Sequence, residues 1–184
     1  MEYCWKNGGI CLRSARPEDA EAYFTQNFCP LDAEAARMTG CKPVFTREEI
    51  DTYFARFVDE ENGYFFLLVS AAGEILGESV INEIDGETRC ANFRIAMFRP
   101  ASRGRGLGTW MTECVRDFAF EVLKLHRLEL DVFSFNPRAR HMYEKVGFRV
   151  EGVRRDAIRD GDGFADDILM AMLEDEWRAI KEIT

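Results

Sequence analysis

Arg103-Gly104-Arg105-Gly106-Leu107-Gly108 follows an expected strand, Ala91 to Phe98, and runs into an expected helix from Thr109 to Leu125. The three glycines in these six residues allow positive φ and let a ligand come close to the backbone amides. The first N–H groups of the following helix have no partner within the helix, and that end carries partial positive charge. Together these features make an anion site, with phosphate the expected anion. Arg103 and Arg105 add two full charges.

Outward from the loop, the chain alternates between two periodicities. Upstream, Ile10 to Arg13 reads as a strand. Pro17 opens a helix through Asn27, with Glu18 and Asp19 suited to its dipole. Phe28 to Phe45, with Pro30 and Pro43, shows no regular pattern and reads as a lid or binding loop. Thr46-Arg47-Glu48-Glu49 is a capping box. The helix it opens carries Ile50, Tyr53, Phe54, Phe57 and Val58 at helical spacing and ends near Asn62-Gly63. Tyr64 to Ser70 and Ile75 to Ile84 form a hairpin around Ala72-Gly73. After a turn at Asp85-Gly86, Ala91 to Phe98 completes an antiparallel meander, which Pro100 ends.

Downstream of the loop, Trp110, Met111, Cys114, Val115, Phe118, Val122 and Leu125 form one apolar stripe. Arg127 to Phe133 is a strand, Asn136-Pro137 opens a helix that stops at Gly147, and Phe148 to Arg154 is the next strand. A turn at Asp160-Gly161-Asp162-Gly163 leads to a strand from Asp166 to Leu173 and a closing helix near Glu174 to Ile183. This order gives a mixed α/β fold, a central sheet with helices on both faces, in a single domain over residues 1–184.

Composition narrows the function. A formal charge of −9 disfavours general nucleic-acid binding and suits a cationic partner. No apolar run is long enough to cross a bilayer, and the start carries no cleavable signal pattern, so the expected location is cytoplasmic. The six cysteines lack metal-ligand spacing and read as reduced thiols, so no metal is expected. The glycine loop lacks the Lys-Ser/Thr ending of a Walker loop. It also follows a meander instead of opening the early βαβ unit of a dinucleotide fold.

Two motifs at this spacing resemble the GNAT N-acetyltransferase superfamily. The loop fits its (Gln/Arg)-x-x-Gly-x-(Gly/Ala) signature. Asn136-Pro137-Arg138-Ala139-Arg140-His141-Met142-Tyr143-Glu144-Lys145-Val146-Gly147-Phe148 fits its second motif. Glu151-Gly152 and the Asp/Gly turn with Asp166 or Asp167 resemble the branch of spermidine and ribosomal-protein-alanine N-acetyltransferases. The resemblance implies a mostly antiparallel GNAT-like sheet and acetyl-CoA as co-substrate. The main chain of Arg103, Gly104, Arg105, Gly106, Leu107, Gly108 and Thr109 would cradle the pyrophosphate. The strands Ala91–Phe98 and Arg127–Phe133 would splay, with pantetheine pairing to Ala96, Met97 and Phe98 like an added strand. Asn136 would both cap its helix and touch the cofactor. A homodimer is compatible with the resemblance.

Acetyl transfer to an amine requires a neutral amine, a stabilised oxyanion and a protonated leaving thiol. The resemblance implies Tyr143 as general acid and Glu83 as base, with an N–H near Met97 stabilising the oxyanion. An ordinary phenol, at a pKa of about 10, needs little perturbation to protonate a thiolate of about 8.5. Asn92 departs from the glutamate that related sequences carry there, which leaves a water relay as the alternative to a strand-borne base. Cys114 belongs to the apolar stripe, so direct transfer in a ternary complex is preferred to an acetyl-enzyme. The acceptor would be a primary amine: a polyamine, another small amine or a protein N-terminus. The competing reading is a non-catalytic acyl-CoA-binding regulatory module on the same fold.

Overall fold

The computed structural model of the protein describes residues 2–58 and 63–183. Among the described residues, eight strands and six α-helices form a mixed α/β fold, with strand order β1-β2-β3-β4-β5-β6-β8-β7. The strands are β1 Cys4–Asn7, β2 Ile10–Ser14, β3 Gly63–Val69, β4 Ile75–Asp85, β5 Cys90–Met97, β6 Arg127–Phe133, β7 Arg149–Asp160 and β8 Gly163–Leu173. The helices are α1 Ala20–Asn27, α2 Ala33–Thr39, α3 Arg47–Val58, α4 Leu107–Glu121, α5 Pro137–Lys145 and α6 Glu174–Ile183. β5 and β6 run parallel, joined through α4, and the sheet is otherwise mostly antiparallel.

The chain divides into two compact units, Met1–Asn82 with Arg94–Cys114, and Glu83–Phe93 with Val115–Thr184. In the first, β3 and β4 lay Phe65, Leu67, Ile75 and Val80 against Tyr23 of α1 and against Ile50, Phe54 and Phe57 of α3. The box that opens α3 is formed as expected: Thr46 N–H donates to Glu49 Oε2 at 2.8 Å, and Glu49 N–H donates to Thr46 Oγ1 at 3.3 Å. The expected helix end at Asn62 lies outside the described residues, and Gly63 already belongs to β3.

Three elements of this unit differ from expectation. β1 precedes the anticipated first strand and pairs with it through a turn whose Gly8 and Gly9 both take positive φ. Pro17–Asp19 is a 3₁₀ turn, and α1 begins only at Ala20. The segment expected to be irregular contains α2, capped by Asp32 Oδ1, which accepts from Ala35 N–H at 2.9 Å, and ended by Gly40 at φ 68°.

In the second unit β6 runs antiparallel to β8 along its whole length, and its parallel ladder with β5 covers three pairs, Cys90↔Arg127 to Asn92↔Glu129. β7 and β8 form a hairpin longer than expected, paired out to Asp160↔Gly163. Val122 lies past the end of α4 and is 47% exposed, so it does not continue that helix's buried stripe of Met111, Val115 and Phe118. Gly147 has φ 105°, and a Cβ there would meet Met172 and Ile180 within 2.6 Å, which explains structurally why glycine ends α5.

Candidate active site

The loop after β5 is built for close approach to its backbone. Gly104 and Gly106 take φ 73° and 76°, and a Cβ at either would meet no atom within 4 Å. Trp110 N–H donates to Gly106 O at 3.0 Å, so Gly106 caps α4 and the helix starts at Leu107, two residues before the expected Thr109. The amides of Leu107, Gly108 and Thr109 are then the first-turn donors with no acceptor inside the helix.

Arg103 departs from expectation. Its side chain is 8% exposed, and the guanidinium is turned inward, bonded to Asp32, to Glu34 at 2.7 Å and to the carbonyls of Met97 at 3.1 and 3.2 Å and Phe98 at 3.5 Å. Burial pushes the Asp32 carboxyl up, but hydrogen bonds from Arg103 and from the Ala35 amide outweigh it and hold Asp32 below its ordinary value. Of the two loop arginines only Arg105 extends an exposed side chain.

The same contacts sort the expected strand residues. Phe98 N–H donates to Leu76 O at 3.0 Å, so it faces β4. Ala96 O lies close over Gly77, where a Cβ would stand 2.6 Å from it. Backbone groups alternate along a strand, so Met97 directs its N–H to the edge away from β4. Its carbonyl is held by Arg103.

In the second unit Tyr143 is 6% exposed. It sits edge-on to Phe93 at 6.4 Å and to Phe148 at 5.9 Å. Burial, and secondarily the charge of Asp131, push its phenol well above the ordinary value. The expectation of a nearly unperturbed acid is therefore corrected: a wall of aromatic rings disfavours the phenolate. Asn136 does cap α5, its Oδ1 accepting from Ala139 N–H at 3.2 Å. Asp167 is 3% exposed and accepts from Arg154 at 3.1 Å. Glu83 is exposed at the end of β4, with φ 54°. His126 and His141 are both exposed.

Sequence reasoning missed one constellation. Glu78, in the middle of β4, accepts from the phenols of Tyr23 and, at 3.5 Å, Tyr53. The signal available was a carboxylate inside the apolar run Ile75-Leu76-Gly77-Glu78-Ser79-Val80-Ile81.

Comparison with known proteins places this geometry in context. The family described as acetyltransferase (GNAT) domain matches residues 10–149. The chain is 28% identical over 111 residues to spermidine N(1)-acetyltransferase of Vibrio cholerae, covering 60% of this chain and 64% of that protein. It is 36% identical over 102 residues to spermidine N(1)-acetyltransferase of Escherichia coli K12, covering 55% and 53%. The match thus spans less than two thirds of either relative's length. The crystal structure of the Vibrio cholerae spermidine N-acetyltransferase in complex with CoA and spermine superposes with a TM-score of 0.82 at 23% identity, covering 94% of this chain and 99% of that one. At that identity the likeness is one of fold, and the matched span of residues 10–149 carries the assignment: the chain belongs to the GNAT acetyltransferase family.

Proposed function

We propose that this protein transfers the acetyl group of acetyl-CoA to a primary amine by direct attack. The observation that carries the reading is the loop before α4, where Gly104 and Gly106 leave open space over first-turn amides that have no acceptor within the helix. The amides of residues 104–109 hold the pyrophosphate, the Arg103 N–H being already donated to Pro100 O at 3.1 Å, and Arg105 adds an exposed charge. The relatives named as spermidine acetyltransferases, and the fold neighbour solved with CoA and spermine, support the choice of cofactor and of an amine acceptor.

The pantetheine arm follows the edge of β5 at Met97, because the backbone groups of Ala96 and Phe98 face β4, and the Met97 N–H is the donor for the carbonyl oxygen. As the neutral amine attacks the thioester carbon, negative charge grows on that oxygen, where a fixed donor stabilises it most. Collapse of the tetrahedral intermediate breaks the C–S bond and leaves an amide. Tyr143 supplies the proton that makes the leaving sulfur a thiol. Glu83, exposed at its strand end, receives the proton that the amine loses, directly or through water. Asn136 donates to the cofactor through Nδ2 while Oδ1 keeps its cap.

Calorimetric titration with acetyl-CoA tests the loop. Gly106→Val places a branched side chain over the amides. A Cβ there meets no protein atom within 4 Å, so the cost at that atom is backbone strain at positive φ, about 1–2 kcal/mol. The expected outcome is an affinity at least about tenfold weaker in a folded variant. Wild-type affinity in that variant would place the phosphates elsewhere.

A further inference from the structure

Cys4 and Cys11, both free thiols, meet across the first hairpin. The register sets Cys4 opposite Arg13 and Lys6 opposite Cys11, so these four side chains share one face of the β1–β2 pair. The other face carries Trp5, edge-on to Phe66, and the fully buried Leu12. Cys4 and Cys11 are diagonal neighbours, a placement from which side chains can reach each other. Their sulfurs are 2.8 Å apart. A disulfide bond is about 2.05 Å long, so the pair stands less than about 1 Å short of bonding distance. β1 is also free to move that far. It has four residues, lies at the end of the sheet and turns into β2 through Gly8 and Gly9 at positive φ.

The two thiols are not equivalent. Cys4 is exposed and Cys11 is half-buried. Burial, then the hydrogen bond with Cys4 and the charge of Cys4, push the Cys11 thiol up to about 11, against the opposing charges of Arg13 and Lys6. Arg13 gives its guanidinium to Asp19 in two bonds of 2.7 Å, whereas Lys6 is exposed. Cys11 therefore keeps its proton and donates it toward Cys4, the sulfur that solvent reaches. A cation beside a partly exposed thiol favours the reactive thiolate.

We infer that Cys4 and Cys11 form an oxidation site: a peroxide reacts at Cys4, Cys11 resolves the product, and the resulting disulfide fastens β1 to β2. Cys4 loses its proton and its sulfur attacks one peroxide oxygen. The O–O bond breaks, the departing hydroxide takes up that proton as water, and Cys4 becomes a sulfenic acid. The Cys4 charge that held the proton on Cys11 is then gone. The Cys11 sulfur attacks the Cys4 sulfur, the S–O bond breaks, and hydroxide leaves with the Cys11 proton as a second water. Together the two sulfurs lose two electrons, and the peroxide gains both. The new bond closes a short ring over residues 4–11 and restricts the unfolded chain there. Nothing in this chemistry depends on the proposed acetyl transfer.

The test treats the whole chain with hydrogen peroxide, blocks remaining thiols with iodoacetamide and digests with trypsin without reductant. Cleavage after Lys6 and Arg13 separates the two cysteines, so the disulfide joins residues 1–6 to residues 7–13 in a species two hydrogens lighter than their sum. The expected result is this linked pair, formed within one chain and undone by dithiothreitol. The oxidised sample should melt at least about 2 °C higher before dithiothreitol than after it. Methionine sulfoxide is the same in both arms of that comparison. In Cys11→Ser, dimedone should trap a sulfenic acid on Cys4, whereas in Cys4→Ser the Cys11 thiol should survive. Cys4 and Cys11 recovered unlinked from peroxide-treated wild type, or linked to other cysteines, would overturn the inference. A linked pair with no rise in Tm would overturn the fastening of β1.

Discussion

Tyr143 holds its phenol against Phe93 and Phe148, where burial and the Asp131 charge keep it protonated far into the alkaline range. A proton donor of this kind is present at every physiological pH. In the proposed reaction it would stabilise the departing sulfur by a hydrogen bond first, because full transfer to a thiolate of about 8.5 runs uphill from a phenol above about 10. Tyr143→Phe should lower kcat by roughly 10²–10⁴-fold with acetyl-CoA affinity nearly unchanged. The sign for pH follows from the same shift. Raising the pKa extends the protonated form upward, so kcat in wild type should not fall on the alkaline side below about pH 10. An alkaline loss centred near about 8.5, or a fully active Phe variant, would remove Tyr143 from the proton path. The position of this residue was legible from its motif, whereas its environment was not: Phe93 lies 50 residues away in the chain. Arg103 shows the same limit. Its partners Asp32 and Glu34 are 71 and 69 residues upstream, and nothing local distinguishes a guanidinium turned inward from one offered to a phosphate.

At the scale of elements, legibility followed periodicity and caps. β6 and α6 stand where the residue pattern put them, because apolar spacing and turn residues agree there. β1 has only four residues and alternates weakly, and its usable sign was the Asn7-Gly8-Gly9 turn. α2 is short and framed by Pro30 and Pro43, which obscured Asp32 and Gly40 as its two caps. The far half of β7 is charged and exposed, so it has no apolar alternation and owes its form to backbone pairing with β8. α5 offers a test that separates structure from binding at one residue. Asn136→Asp keeps an oxygen for the Ala139 amide and should hold stability within about 0.5 kcal/mol, whereas Asn136→Ala should cost about 1 kcal/mol. The aspartate also removes the Nδ2 donor and brings negative charge, so acetyl-CoA affinity should fall. Unaltered affinity would reduce Asn136 to a helix cap.

At the scale of the molecule, the antiparallel meander and every strand described except β1 could be read in advance, but the insertion of β8 between β6 and β7 could not. Long-range order depends on which faces are covered, and that is a property of the folded chain. The net charge of −9 agrees with a cationic acceptor and says nothing of which one, because most acidic groups lie on exposed surface or in ion pairs such as Arg127–Glu151 and Arg13–Asp19. The central proposal concerns the whole protein: that it moves an acetyl group from a thioester to an amine. The direct measurement is mass spectrometry of an amine panel incubated with protein and isotopically labelled acetyl-CoA, with free thiol titrated in the same samples. The prediction is labelled acetyl on an amine nitrogen, with one equivalent of free thiol for each acetyl transferred. Tight acetyl-CoA binding with unlabelled amines and thiol release at the hydrolysis background would contradict it, and would make the protein a binding module on this fold.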